Sequence, residues 1–449
     1  MNIIVIGGGK VGRRLVEDFD REGHNVVLVD IRPQIADKVQ NDFDVMGLCG
    51  SGTDVEILLE AGMKSCDLAL CVTDSDEINA LCGIMSKKLG AKFCVARIRN
   101  RQYSKQMAFM RDELGINLIV NPEYYAADEI ARMIRFPAAI KTETFAKGRI
   151  ELAEFKVPEL LKDRPIYELY RKHKLKMLIC AVARGSEVVI PSGDFILHEG
   201  DRIHVTASHA DMAKFMKLAG LDNQRLKTVL IIGGGRISFY LAKQLIESGM
   251  KVKVIEQNEE RCLELSENIP KLSVICGDGT DRDLLDEEGI EDFDAFVSLT
   301  GIDEENIVIS MYARMKEVDK VITKVNRISF AQMLDATGID SIVTPKDITA
   351  NVILGYVRAL SEARGYSEVV SLYRIVNNNA EAVEFRVSQQ SELTAKPLKD
   401  IKFKDNVLIA AIVSKNKSYI PDGSSQIEVG DIVIVVTTRK LQSLEDILD

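Results

Sequence analysis

The chain carries one passage twice, at Ile3 to Asp30 and again at Leu230 to Glu256. In each copy four apolar residues read as a buried parallel strand, a triple glycine makes the turn, a helix begins at once, and a second strand ends on a lone carboxylate. Any fold for this chain must therefore hold two copies of one βαβ unit.

The glycines have separate mechanical tasks. Gly7 allows the tight exit from the strand, Gly9 lets backbone amides approach a phosphate, and Gly12 gives the helix room against the strand. Amides at the start of that helix carry partial positive charge, which favours a pyrophosphate or polyphosphate there. Asp30 and Glu256 lie about 20 residues past their loops, where a carboxylate suits a ribose diol and repels a 2′-phosphate. That selects NAD or an adenosine phosphate over NADP. In the second copy Gly233 and Gly235 are kept but Ser238 replaces the third glycine, so helix and strand are expected to sit further apart there.

The duplication runs further than the loops. Cys49 to Asp54 (CGSGTD) recurs as Cys276 to Asp281 (CGDGTD), and Thr73, Asp76, Glu77 and Asn79 recur as Thr300, Asp303, Glu304 and Asn306. Pro191 to Gly193 and Glu199 to Asp201 recur as Pro421 to Gly423 and Val429 to Asp431, so each repeat holds two modules. In the first module, apolar runs near Ile3, Val26, Val45, Leu68, Phe93 and Leu118 alternate with helical patterns, the rhythm of a doubly wound parallel sheet. Pro122 and Pro345 occupy first positions of helices expected to reach about Arg135 and Arg364. The second module alternates at Glu151 to Val157 and Asp431 to Val436, which predicts small mixed sheets with short helices. The fold class is α/β: two tandem repeats, each a Rossmann-like doubly wound parallel sheet followed by a small α+β module. The expected boundaries are 1–141, 142–224, 225–366 and 367–449, with a polar connector at about Leu221 to Lys227.

At 449 residues and 46% apolar content the chain can bury several cores. Its apolar runs, such as Val407 to Val413, fall short of the ~20 residues a membrane-spanning helix needs. Met1 leads directly into the first strand without a basic leader, so a cytoplasmic protein is expected. A net charge of −10 argues against a nucleic-acid partner, whereas the basic cytoplasmic loops of a membrane protein would complement it. The eight cysteines show no C-x-x-C spacing and read as buried apolar thiols. His198, His204 and His209 lack ligand spacing on one helix face, so no metal site is expected. The run Asp281 to Asp292 reads as a solvated helix face.

Catalytic equipment is sparse. There is no G-x-S-x-G elbow, H-E-x-x-H pair or P-loop. A dehydrogenase needs a proton donor near its nicotinamide, and only His173 with Lys174, or His198, offer themselves. An NAD-dependent oxidoreductase with duplicated cofactor domains remains the alternative reading.

The repeated glycine loop, the CGxGTD loop, the TxxDExN segment and the PxG modules together resemble two tandem RCK units over essentially the whole chain. The resemblance is to the peripheral regulatory subunits of Trk-type potassium uptake. It implies a non-enzymatic, cytoplasmic chain bound at the inner face of the membrane. The first module of each repeat would bind NAD(H), ATP or ADP. A homo-oligomeric ring, expected to be tetrameric, would dock on a potassium-translocating membrane subunit of the Trk or Ktr type.

Carried over by position, Gly7, Gly8, Gly9, Lys10, Val11 and Gly12 would cradle phosphates, with Lys10 as the basic contact and Asp30 on the ribose. Gly233, Gly234, Gly235, Arg236, Ile237 and Ser238, with Glu256, are the equivalents in site two. Ser51, Gly52 and Thr53, and likewise Asp278, Gly279 and Thr280, would flank adenine. Thr73 and Thr300 would stand at the ligand edge of the sheet, and Arg97 and Lys324 would neutralise distal phosphates.

Overall fold

The computed structural model describes residues 1–100, 113–173, 175–185, 187–221, 226–327, 339, 341–361, 367–376, 379–415, 417–441 and 443–449. They form two compact units. Met1–Ala126 with Thr344–Ile353 make the first, and Ala127–Val343 with Leu354–Asp449 make the second.

The first unit is built on a six-stranded sheet whose strands all pair in parallel. Across the sheet the strands run β3 (Met46–Cys49), β2 (Asn25–Asp30), β1 (Asn2–Ile6), β4 (Leu68–Cys71), β5 (Phe93–Arg97) and β6 (Leu118–Val120). Ile3 to Ile6 and all of β4 are buried on both faces, as helices on either side of a parallel sheet require. The core on one face gathers Leu58, Met63, Cys66, Cys82, Cys94 and Ile116. The strand order reverses between β1 and β4, and at such a switch point the carboxyl ends of the strands leave a crevice. Helix Lys10–Arg21 follows β1. Its Arg14, almost fully buried, lies 3.4 Å from Asp347 of the 344–353 segment.

The second unit repeats that sheet as β14 (Ser273–Cys276), β13 (Lys251–Glu256), β12 (Thr228–Ile232), β15 (Ala295–Ser298), β16 (Lys320–Lys324) and β17 (Ser341–Val343), again all parallel. It also holds both small modules. One is a five-stranded sheet in the order β10 (Glu187–Val189), β9 (Met177–Arg184), β11 (Arg202–Ser208), β8 (Ile150–Lys156), β7 (Lys141–Phe145). The other runs β18 (Ser367–Ile375), β19 (Ala380–Val387), β22 (Ile432–Thr437), β20 (Val407–Val413), β21 (Ser418–Tyr419). Phe145, Ile150 and Cys180 of one share a core with Ile375, Ala382 and Val436 of the other, so the modules stabilise each other by joint burial. Lys320 on β16 donates to the carbonyls of Pro137 and Ala139 at 2.9 and 2.7 Å, tying the chain after helix Pro122–Arg135 to this sheet.

Pro122 and Pro345 open their helices as the sequence predicts, Pro122–Arg135 and Pro345–Ser361. The expected end at Arg364, residues 222–225 of the connector, and Lys174 lie outside the described residues. Three expectations need correction. The small sheets are antiparallel at every described pairing rather than mixed. Asp431 precedes β22 and instead accepts from Glu428 N–H at 2.9 Å, closing the turn. Cys49 and Cys276 are exposed, because each is the last residue of an outermost strand. No described helix is long and apolar enough to cross a membrane.

Candidate functional site

The glycine loop starts where β1 ends. Gly7 has φ +103° and Gly233 +94°, conformations that L side chains rarely adopt. The Gly7 amide donates to Val29 O at 2.8 Å and Gly233 to Ile255 O at 2.8 Å, so each loop crosses the end of the second strand. A Cβ on Gly12 would sit 1.9 Å from Gly7 O, so the helix is seated directly on the loop. A Cβ on Gly9 or Gly235 would meet nothing within 4 Å among the described residues. Those two positions face open space, where backbone can approach a ligand.

Site two adapts to its missing glycine. Ser238 is fully buried, and its hydroxyl donates to Gly233 O, the counterpart of the carbonyl that a Gly12 Cβ would strike. Contact there becomes a hydrogen bond.

The acid after the second strand holds the loop from beneath. Asp30 Oδ2 accepts the Gly8 amide at 2.7 Å, and Glu256 Oε2 accepts Gly234 N–H at 2.5 Å. Arg32 then closes over Asp30: its amide and Nε lie 2.9 Å from Oδ1 and its terminal nitrogen 3.1 Å from Oδ2. Burial alone would raise the Asp30 carboxyl, but Arg32 and the Gly8 amide hold it below the ordinary value. Among the described residues site two has no such clamp, and Glu256 Oε1 accepts only the Asn258 amide, at 2.8 Å.

The electrostatics of the two loop helices set them apart from several others. Asp54, Ser75 and Asn258 cap their helices through side-chain oxygens. Helices Lys10–Arg21 and Arg236–Glu247 have no side-chain cap and no acid in the first turn. Each opens instead on an exposed cation, Lys10 or Arg236, that makes no ion pair among the described residues. Two unquenched helix N-termini, each with an added positive charge, are left to attract an anion. Val11 is buried behind the loop and Ile237 half-buried.

The other predicted residues gather at the same strand ends. Gly52 and Gly279 are pressed on Ile6 and Ile232, where a Cβ would come within 2.2 and 2.3 Å, so the CGxGTD loops overhang the first strand of each sheet. The Ser51 hydroxyl is 2.8 Å from that of Thr53, and Asp278 Oδ1 accepts the Thr280 amide and hydroxyl at 2.9 and 2.8 Å. Those bonds from Thr280 hold the Asp278 carboxyl below its usual range. The Thr73 and Thr300 backbones border Gly7 and Gly233. Arg97 lies 3.7 Å from Glu123, and Lys324 Nζ is 3.5 Å from Leu299 O.

Two pairs given no role by sequence reasoning organise this edge. Asn79, fully buried, accepts the Thr73 amide at 2.8 Å and donates to Thr73 O and Arg97 O at 3.1 and 2.9 Å, stitching β4 to β5. Asn306 repeats the pattern with Thr300 and Lys324. Asp76 accepts the Arg99 and Asn100 amides, and Asp303 those of Asn326 and Arg327. Their recurrence at matched positions was the available signal. The three clustered histidines separate: His198 pairs with Asp163, His209 with Glu151, and His204 lies 3.6 Å from Glu154. No group of three or more metal-binding side chains occurs among the described residues.

Residues 3–122 and 229–345 match the TrkA-N domain model, and residues 152–220 and 382–449 the TrkA-C domain model. The chain is 30% identical over 451 residues to a Trk system potassium uptake protein TrkA homolog of Archaeoglobus fulgidus, covering 100% of each. It is 31% identical over 457 residues to TrkA homolog 1 of Methanosarcina mazei, covering 99% of this chain and 98% of that one. Among solved structures, the GsuK channel bound to NAD superposes with a TM-score of 0.64 at 18% identity, covering 97% of this chain and 76% of that one. GsuK bound to ADP gives 0.52 at 16%, covering 79% and 68%. At these identities the likeness is one of fold.

Proposed function

Because the chain belongs to the TrkA family of Trk potassium-uptake proteins, we propose that it is a non-enzymatic gating subunit switched by adenine nucleotides at its two glycine loops. The observation that carries this reading is the pair of uncapped, cation-bearing helix N-termini, each beside a buried acid and an open glycine. In this reading residues 1–141 and 225–366 are nucleotide modules and 142–224 and 367–449 the smaller partners. NAD(H), ATP or ADP would place phosphates over Gly7 to Gly12 and Gly233 to Ser238, with Lys10 and Arg236 alongside. The adenosine would lie towards Ser51 to Thr53 and Asp278 to Thr280. Arg97 and Lys324 would reach distal phosphates only after turning from Glu123 and Leu299 O.

A ligand shifts an equilibrium only through its differential affinity for two states, so one nucleotide must fit the transport-permissive ring better than the other. That ring, a homotetramer at the inner face of the membrane, would dock on a Trk- or Ktr-type potassium-translocating subunit. Solved relatives of this fold bound to NAD and to ADP support the choice of nucleotides. Titration of the purified full chain with ADP and NADH by calorimetry and NADH fluorescence tests it. Saturable binding without NADH consumption is expected; sustained oxidation of NADH by added carbonyl compounds would favour the oxidoreductase reading.

A further inference from the structure

The second glycine-loop site carries a pair of thiols that the first lacks. Cys276 ends β14, is exposed, and stands in register with Glu256 of β13. Cys262, buried in helix Glu259–Asn268, donates its Sγ–H to the Glu256 carbonyl at 3.2 Å, and that carbonyl also accepts the Gly277 amide at 3.0 Å. Both cysteines therefore stand against the Glu256 backbone, one across the sheet and one from the helix. Burial, and then Cys276, push the Cys262 thiol up to about 11. In the first repeat Cys49 holds the place of Cys276, but Ala36 holds that of Cys262, and the Cys49 thiol rests 3.8 Å from Ile31 O. One cysteine of the pair is exposed and the other is buried.

We propose that Cys262 and Cys276 are a reversible redox site, oxidised by a peroxide to a disulfide that changes nucleotide affinity at the second glycine loop. The change in affinity rests on the nucleotide reading above; the thiol chemistry does not. The Cys276 thiolate attacks a peroxide oxygen, the O–O bond breaks, and a sulfenic acid forms as the departing oxygen takes a proton to leave as water. Cys262 sulfur then attacks the sulfenic sulfur, the S–O bond breaks, and the hydroxyl leaves with the Cys262 proton as a second water. Two thiols and one hydrogen peroxide give one disulfide and two waters, with two electrons passed from sulfur to oxygen. A dithiol reductant reverses it by exchange.

The consequence follows from the bonds Cys262 makes. An S–S bond of about 2.05 Å draws the helix towards the end of β14 and removes the thiol proton from Glu256 O. Glu256 is the residue whose carboxylate holds Gly234 N–H, so the phosphate loop moves with it.

The test uses the full chain, reduced or treated with hydrogen peroxide, alkylated under denaturing conditions and mapped by mass spectrometry, with ADP affinity measured before and after. A Cys262–Cys276 peptide pair two mass units lighter is expected, together with a change of at least about fivefold in one ADP site that dithiothreitol reverses. Cys276→Ser and Cys262→Ser should each abolish both effects while Cys49→Ser abolishes neither. Absence of the linked pair in a chain that binds ADP overturns the proposal, and so does a linked pair with unchanged ADP affinity. A reduced chain that binds neither ADP nor NADH overturns the nucleotide reading and the coupling with it, and the peptide map still decides the thiol chemistry.

Discussion

Arg32 takes up the carboxylate of Asp30 from both sides, whereas Asn258, at the matching place in the second repeat, offers Glu256 only its amide. With the Gly8 amide added, four donors converge on the two Asp30 oxygens. A ribose diol must displace the Arg32 side chain before it can donate there. Since the guanidinium is more than half exposed, its grip is a weak one. Arg32→Ala should therefore tighten ADP binding at the first site by roughly threefold, read by calorimetry. Weaker binding would mean that Arg32 contacts the nucleotide instead of guarding the acid.

Gly9 and Gly12 should separate binding from folding. Gly9→Ala places its methyl in open space and should leave the melting temperature within about 1 °C while weakening ADP binding at least tenfold. Gly12→Ala drives a methyl into Gly7 O and should destabilise the unit by about 2 kcal/mol or more, read by chemical denaturation.

Ser238→Ala removes the hydroxyl that satisfies Gly233 O and leaves a partly buried carbonyl short of a donor. A loss of about 1 kcal/mol is expected, with the second site affected and the first unchanged. Equal effects at both sites in a binding titration would contradict the local account.

Asn79→Ala strips four hydrogen bonds and Asn306→Ala three from a buried strand junction. Each should cost about 2 to 3 kcal/mol in denaturant titrations. A cost near zero for either would show that the strand ends need no such tie.

Asp30 and Asp201 predict acid behaviour. Both carboxyls are raised by burial but held below the ordinary 3.8 overall, Asp30 by Arg32 and the Gly8 amide and Asp201 by Arg184 and the His198 amide. A carboxyl lowered by folding contributes stability that is complete above its unfolded value and lost as pH falls through its folded one. Their contribution should be constant above about pH 5 and decline below pH 3.8. Carbonyl-carbon NMR titration of the two residues checks it; midpoints at or above 3.8 would contradict the geometry.

The sequence made the sheets and glycine loops legible because they rest on short-range chemistry. An apolar run, a glycine that must take positive φ and a proline at a helix start each act within a few residues. Reading the small sheets as mixed failed because alternation gives the faces of a strand but not the direction of its neighbour. Ser238 read as a defect because spacing shows a missing glycine but not the hydroxyl reaching back to Gly233 O. Arg32 escaped notice because an exposed arginine is ordinary until its partner is seen. Cys262 and Cys276 come to the same place beside Glu256 only through the pairing of β13 with β14 and the return of the helix between them.

Thr344–Ile353, far along the chain, is part of the unit that begins at Met1. On a ribosome adding ~5 to 20 residues per second, the first unit must wait roughly ten seconds or more after Ala126 emerges for its last piece. Until Asp347 arrives, Arg14 lacks that acid, and a nascent chain cut short in the second repeat would injure the first. The duplicated halves thus share one birth: the earlier half is finished only when the later one is nearly made.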